Sequence, residues 1–334
     1  MRVMFAGSPA IAVPSLETLS REEGIELSGV LTSPDSPKGR SGRPQPSETA
    51  QAAAAILKQF ETRGKPPFPV LKPSKLDSCA REQVKAIKPD LLVSFAYGRF
   101  FGPKFMELFP LGGINIHPSL LPKYRGPAPI QAAILNRDKV TGISIQKLSQ
   151  EMDGGDILES EQLKLTGEET TGSLGGIIAE KAAQMLPGVL KKIAAGTVRG
   201  VPQDADKASY CSLIVADDAI IDWKMSASEI EARVRALDPW PLCRTIHNGR
   251  ELLILKTSVY KGGSGGAKGG QRLEKPGLAK PGLVLGIDKQ DGILVQTGEG
   301  ILAVEKLQYQ AKKALFWRDF MNGARDFTGS ILGN

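Results

Sequence analysis

The first two hundred residues alternate between strand-length apolar runs and helical patterns, and that alternation limits the possible folds more than any other feature. Residues 1–7 (MRVMFAG) and 25–33 (IELSGVLTS) are apolar runs closed by turn residues, and 14–22 (PSLETLSRE) between them has helical character, a βαβ opening. Residues 48–60 (ETAQAAAAILKQF) predict a helix N-capped by Ser47, and 74–88 (SKLDSCAREQVKAIK) predicts another. Two buried strands follow at 90–98 (DLLVSFAYG) and 112–118 (GGINIHP). The expected fold class is therefore α/β: a Rossmann-like, mostly parallel sheet with helices on both faces. The first turn, FAGSPAIAVPSL, offers only Gly7 and two prolines where a dinucleotide fold carries three glycines, so no NAD phosphate cradle is expected.

Strand-like alternation resumes over 141–148 and 156–165, and 171–196 reads as one long helix. Residues 197–215 lack periodicity and read as a linker. Beyond it come an amphipathic helix at 226–237 and several short strands between glycine-containing turns, a pattern that suits a small five-stranded barrel of the OB class. The length of 334 residues fits two domains, here 1–196 and 216–334. No apolar run is long enough for a membrane span, and the chain enters a strand pattern at once, which predicts a cytoplasmic protein without a leader. Three scattered cysteines and two histidines predict neither a disulfide framework nor a metal site. The net charge of +7 is concentrated in two places. One is the loop 33–47 with Lys38, Arg40 and Arg43; the other is 244–280, where eight basic residues face only Glu251 and Glu274. Both read as anion-facing surfaces.

The chemistry is expected at GINIHPSLLPKYRGPAPI, residues 113–130. Residues two apart on a strand share a face, so Asn115 and His117 project together and Pro118 keeps His117 extended. Further on, Asp153 and Asp156 bracket a Gly-Gly turn in EMDGGDIL. An isolated histidine is ordinarily structural. An amide, an imidazole and a carboxylate together suit acyl or one-carbon transfer, the amide polarising a carbonyl and the imidazole moving a proton. His247, beside Asn248-Gly249, reads as a turn residue.

These two motifs, in the order N-x-H-P-S-L-L-P, R-G-x-x-P, T-G and D-x-G-D, resemble the signature of the folate-dependent formyltransferases. FAGSPAIAVPSL, SPDSPKGRSGRPQPS and IDWKMSASEIEARVRALDPWP extend the resemblance over nearly the full length to the branch whose acceptor is methionyl-tRNA. The resemblance implies Asn115, His117 and Asp153 as the catalytic set. It further implies a 10-formyltetrahydrofolate site lined by Ser119, Leu120, Leu121 and Pro122 and by the strand end Phe95, Ala96, Tyr97 and Gly98. Lys38, Arg40 and Arg43 would meet initiator methionyl-tRNA, the barrel would bind its acceptor arm, no metal would be needed, and the chain would be a monomer. Arg99 and a further glycine stand where relatives carry an aliphatic segment, at the rim of the expected pterin pocket. Competing expectations are a formyltransferase acting on an amino sugar nucleotide, a hydrolase releasing formate from the same folate, and a non-catalytic RNA-binding protein.

Overall fold

The computed structural model describes residues 1–37, 42–262, 279–324 and 326–333, which divide into two units. The first unit holds residues 1–129, 140–164 and 174–212. Its strands are β1 (Arg2–Gly7), β2 (Glu26–Leu31), the short hairpin β3 (Ser36–Pro37) and β4 (Pro44–Gln45), β5 (Val70–Leu71), β6 (Leu91–Phe95), β7 (Gly113–His117), β8 (Val140–Lys147) and β9 (Ile157–Lys164). Seven of them form one sheet in the order β5-β2-β1-β6-β7-β8-β9. The strands from β5 to β7 run parallel, and β8 and β9 extend the sheet antiparallel. Val3 to Ala6 of β1 are all 0% exposed. Since consecutive strand residues face opposite sides, both faces of the sheet are covered.

Helices α1 (Val13–Arg21), α2 (Glu48–Thr62), α3 (Ser78–Ile87) and α4 (Pro103–Met106) belong to this unit; α5 (Pro129–Leu135) is grouped mostly with the second, and α6 (Thr171–Ala194) returns to the first from Leu174. Their starts are set locally. Ser47 Oγ accepts from the amide of Ala50 at 3.0 Å, as expected, and Asp77 does the same for Ala80 at 3.1 Å, each cap contributing about 1 kcal/mol. The strand order reverses direction at β1, between β2 and β6. The crevice at such a point lies at the carboxyl ends of the strands, where Phe95 closes β6 and His117 closes β7.

The segment read as a linker is fastened to this unit as far as Ser212. Val201 and Ile157 exchange both backbone hydrogen bonds at 2.8 Å, and the amides of Arg125 and Cys211 bond the carbonyls of Ser209 and Arg125 at 2.8 and 2.9 Å. Its lack of side-chain periodicity reflects single-strand backbone pairing, which needs no repeating apolar face.

The second unit contains residues 130–139, 165–173 and 213–334, described as far as 333 apart from those already excepted. Helix α7 (Ala227–Ala236) starts in a reciprocal cap between Ser226 and Glu229. Strands β10 (Arg244–His247), β11 (Arg250–Val259), β12 (Val284–Asp288), β13 (Gly292–Gln296), β14 (Ile301–Tyr309) and β15 (Leu315–Phe316) form an antiparallel sheet in the order β10-β11-β14-β13-β12, with β15 on β14. Register shifts in β11 and β12 bend it, giving a curled half-barrel. Its core includes Trp223, Ile230, Val234, Ile254, Leu302 and Phe320, the last from α8 (Trp317–Gly323).

Two expectations change in this unit. His247 is the last residue of β10 and not a turn residue; it is buried, with Nδ1 on Tyr309 Oη and its ring edge-on to Phe327 at 4.6 Å. The basic run 244–280 is also less bare than its own window suggests. Arg244 pairs with Asp217 as well as Glu251, Lys256 pairs with Glu305 at 2.6 Å, and Arg250 lies over the Tyr309 ring. The compensating acids come from distant strands and turns. Lys268, Arg272 and Lys275 lie outside the described residues.

All three tryptophans, Trp223, Trp240 and Trp317, belong to the second unit, so tryptophan emission follows that unit. Ile254→Ala is expected to destabilise it by about 2–5 kcal/mol, read as an earlier emission transition in urea; an unchanged midpoint would mean that Ile254 is not a core residue.

Candidate active site

Strand β7 delivers the site. Ile114 and Ile116 are buried in the sheet, while Asn115 and His117 share the other face. The antiparallel register of β7 with β8 sets Gln146 opposite Asn115 and Ser144 opposite His117. Gly142, Ser144 and Gln146 therefore form a small polar face beside the amide and imidazole, with Ile143 and Ile145 on the apolar side.

Asp153 reaches this face from the turn between β8 and β9. Its Oδ1 accepts from Gln146 Nε2 at 2.9 Å and from Asn115 Nδ2 at 3.3 Å, and lies 3.5 Å from His117 Nδ1. Its Oδ2 accepts from the amide of Gly126 at 2.8 Å. The three residues expected to act together are thus brought together. Gly126 has to be glycine: its φ is +116°, and a Cβ there would sit 2.4 Å from the carbonyl oxygen of Cys211.

His117 is 3% exposed. Its Nε2 lies 2.9 Å from the carbonyl oxygen of Tyr124. A carbonyl only accepts, so Nε2 carries the hydrogen and Nδ1 is the nitrogen left facing Asp153. Burial pushes the imidazole pKa down, while the Asp153 carboxylate and the Tyr124 carbonyl oppose that shift. The ring is neutral at rest beside a carboxylate that stabilises it once protonated.

Three non-glycine residues here have left-handed backbones: Ala96 (φ +51°), Tyr124 (φ +59°) and Asp153 (φ +52°). Each costs roughly 1–3 kcal/mol and persists where its surroundings over-determine it, as happens at working sites. Ala96 and Gly98 are exposed at the end of β6, whereas the Tyr97 ring is buried and stacks on Phe101 at 5.4 Å. Of the four residues of this strand end, Phe95 and Tyr97 place their side chains in the core. Arg99 donates to the carbonyl of Pro73 at 2.7 Å and lies over the Tyr97 ring.

In the following loop, Ser119 is fully buried with its hydroxyl on the Lys123 carbonyl at 2.6 Å. Leu121 is buried, its amide bonded to Ser144 Oγ at 3.0 Å, and Leu120 and Pro122 are half-buried. Arg43 is exposed beside β4; Lys38 and Arg40 lie outside the described residues. Among the described residues no three His, Cys, Asp or Glu side chains gather as a metal site, and no helix is long and apolar enough to cross a membrane.

Sequence reasoning missed Gln146, Gln203 and Arg125. Gln146 carried a signal, the polar alternation G-x-S-x-Q on a strand. Gln203 carried none, and Arg125 stood in the R-G-x-x-P motif without an assigned role, because the contact that pairs them spans 78 residues.

A formyl transferase family model matches residues 1–190, and the model of the formyl transferase C-terminal domain matches 213–325. The chain is 48% identical over 327 residues to a methionyl-tRNA formyltransferase of Treponema denticola, covering 98% of each chain. Among solved structures, an N-formyltransferase from Helicobacter canadensis in complex with folinic acid and dTDP-3-aminofucose aligns with a TM-score of 0.62 and 18% identity, over 92% of this chain and 98% of that one. HypX from Aquifex aeolicus in complex with tetrahydrofolic acid aligns with a TM-score of 0.61 and 15% identity over 98% of this chain, which spans 48% of that protein. With both domain models matched in order and a relative that similar along its whole length, the chain belongs to the formyl transferase family.

Proposed function

We propose that this chain transfers the formyl group of 10-formyltetrahydrofolate to the α-amino group of methionyl initiator tRNA, as a monomer in the cytoplasm. The observation that carries the reading is the convergence of Asn115, Gln146 and His117 on the Asp153 carboxylate at the carboxyl edge of the sheet. Likeness to methionyl-tRNA formyltransferases at both ends of the chain favours the tRNA acceptor. On the same reading, 1–196 is the catalytic domain and 216–334 the tRNA-binding one, with Lys38, Arg40 and Arg43 beside the acceptor end.

The donor supplies an activated formyl carbon on nitrogen and leaves as tetrahydrofolate. The residues present fit such a group. The exposed backbone of Ala96 and Gly98 offers hydrogen-bonding groups for a pterin edge, with Phe95 and Tyr97 fixing that strand end from the core. Leu120, Leu121 and Pro122, in the turn that Ser119 closes onto the Lys123 carbonyl, supply apolar side chains after β7.

Each catalytic side chain then has a stated task. One N–H of Asn115 is directed at Asp153, and its second donates to the formyl oxygen as negative charge develops during attack by the amine. His117 Nδ1, unprotonated because burial lowers its pKa, takes the proton lost by the attacking nitrogen. Asp153 stabilises the resulting imidazolium, and His117 returns the proton to the leaving nitrogen. Gln146 keeps Asp153 turned toward the ring.

The deciding assay measures formyl transfer to initiator methionyl-tRNA, with elongator methionyl-tRNA and an amino sugar nucleotide as parallel acceptors. Transfer confined to the initiator is expected; transfer to the sugar alone overturns the proposed acceptor. Asn115→Ala should lower kcat by about 10²–10³-fold, the cost of losing one oxyanion donor. Because the working form of His117 is neutral and its pKa lies below the ordinary 6.5, kcat should hold down to that pH and fall only below it. A kcat that rises on acidification would remove His117 as the base.

A further inference from the structure

Gln203 comes from the segment without periodicity, yet its side-chain amide is engaged on every side. Its Nε2 lies 2.7 Å from the carbonyl oxygens of both Asp153 and Gly155, and 3.2 Å from Gln146 Oε1. Its Oε1 accepts from Arg125 Nε at 3.1 Å and Nη2 at 2.9 Å. Arg125 is 2% exposed and also donates to Glu151 Oε1 at 2.6 Å and Tyr210 Oη at 3.3 Å.

This amide lies between the two loops that hold the imidazole and the carboxylate. On one side is Arg125, whose chain neighbours Tyr124 and Gly126 bind His117 Nε2 and Asp153 Oδ2. On the other is the left-handed turn that carries Asp153. Gln146 is the third element, and Gln203 sets which end of its amide faces the carboxylate: with Oε1 taken by Gln203, Nε2 is left for Asp153. The segment is anchored on both sides of Gln203, by Val201 on Ile157 and by Ser209 on Tyr124 and Arg125.

We propose that Gln203 is a positioning residue: by bridging Arg125 to the Asp153–Gly155 turn and to Gln146, it fixes the Asp153 carboxylate against His117. The inference rests on the roles proposed above for those two residues. The bridge needs a group that accepts from a guanidinium on one side and donates to carbonyls on the other, which an amide does. A carboxylate of the same size only accepts, and asparagine is one methylene short. The charged and titratable groups around it are Arg125, Glu151, Asp153, Tyr210 and Cys211, whose Sγ lies 3.4 Å from the Arg125 carbonyl.

The test uses Gln203→Glu and Gln203→Ala in the full chain. Both should fold, by far-ultraviolet circular dichroism, and keep the KM of donor and acceptor within roughly threefold while kcat falls by about 10²-fold. Since the chain has only two histidines, imidazole NMR resolves each one, assigned with His247→Gln. In Gln203→Ala a carboxylate no longer held against the imidazole should lower the titration midpoint of His117, because Asp153 is what raises it, with that of His247 unchanged. Parental kcat together with an unmoved His117 midpoint in both variants would overturn the proposal, as would loss of fold in both. The titration decides positioning independently of activity: a parent chain that formylates no methionyl-tRNA would overturn the proposed function alone.

Discussion

The Asp153 carboxylate accepts from a strand, a loop and its neighbouring strand, through Gln146, Gly126 and Asn115, and faces the buried imidazole of His117. Much of the local architecture serves this arrangement. The antiparallel addition of β8 to a parallel sheet puts Gln146 opposite Asn115; a parallel neighbour would slant the pairing and present different residues. Gly126 lets the backbone pass close to Cys211 so that its amide can reach the carboxylate. The left-handed turn at Asp153 aims its side chain back over the strand ends.

Burial and charge act against one another at His117, and the balance is chemically useful. Desolvation favours the neutral ring; the nearby carboxylate favours the charged one. A base that is free at rest and stabilised after it takes a proton suits a reaction in which a proton passes from an attacking nitrogen to a leaving one. Unlike an exposed ion pair, this pair is shielded from salt, because His117 is almost fully buried.

Short-range physics was well represented in the sequence. The two-residue period placed Asn115 and His117 on one face, the Ser47 cap was readable from the helix it precedes, and the long apolar pattern over 171–196 became α6. Misreadings share one cause, the distance along the chain between partners. His247 looked like a turn residue because Asn-Gly follows it, but its neighbours Tyr309 and Phe327 are 62 and 80 residues away. The run 244–280 looked uncompensated until Asp217 and Glu305 met it across the second unit.

By itself the sequence determined the element order, the parallel-dominated α/β class and the pairing of an amide with an imidazole at a strand end. These depend on side-chain period, capping and turn chemistry, which act over a few residues. Only the tertiary structure decided the protonated nitrogen of His117, the orientation of Asp153, and the placing of Gln146, Gln203 and Arg125 around them. Those features depend on strand register and on hydrogen bonds closed across long loops, where geometry and desolvation are set by residues no local window contains.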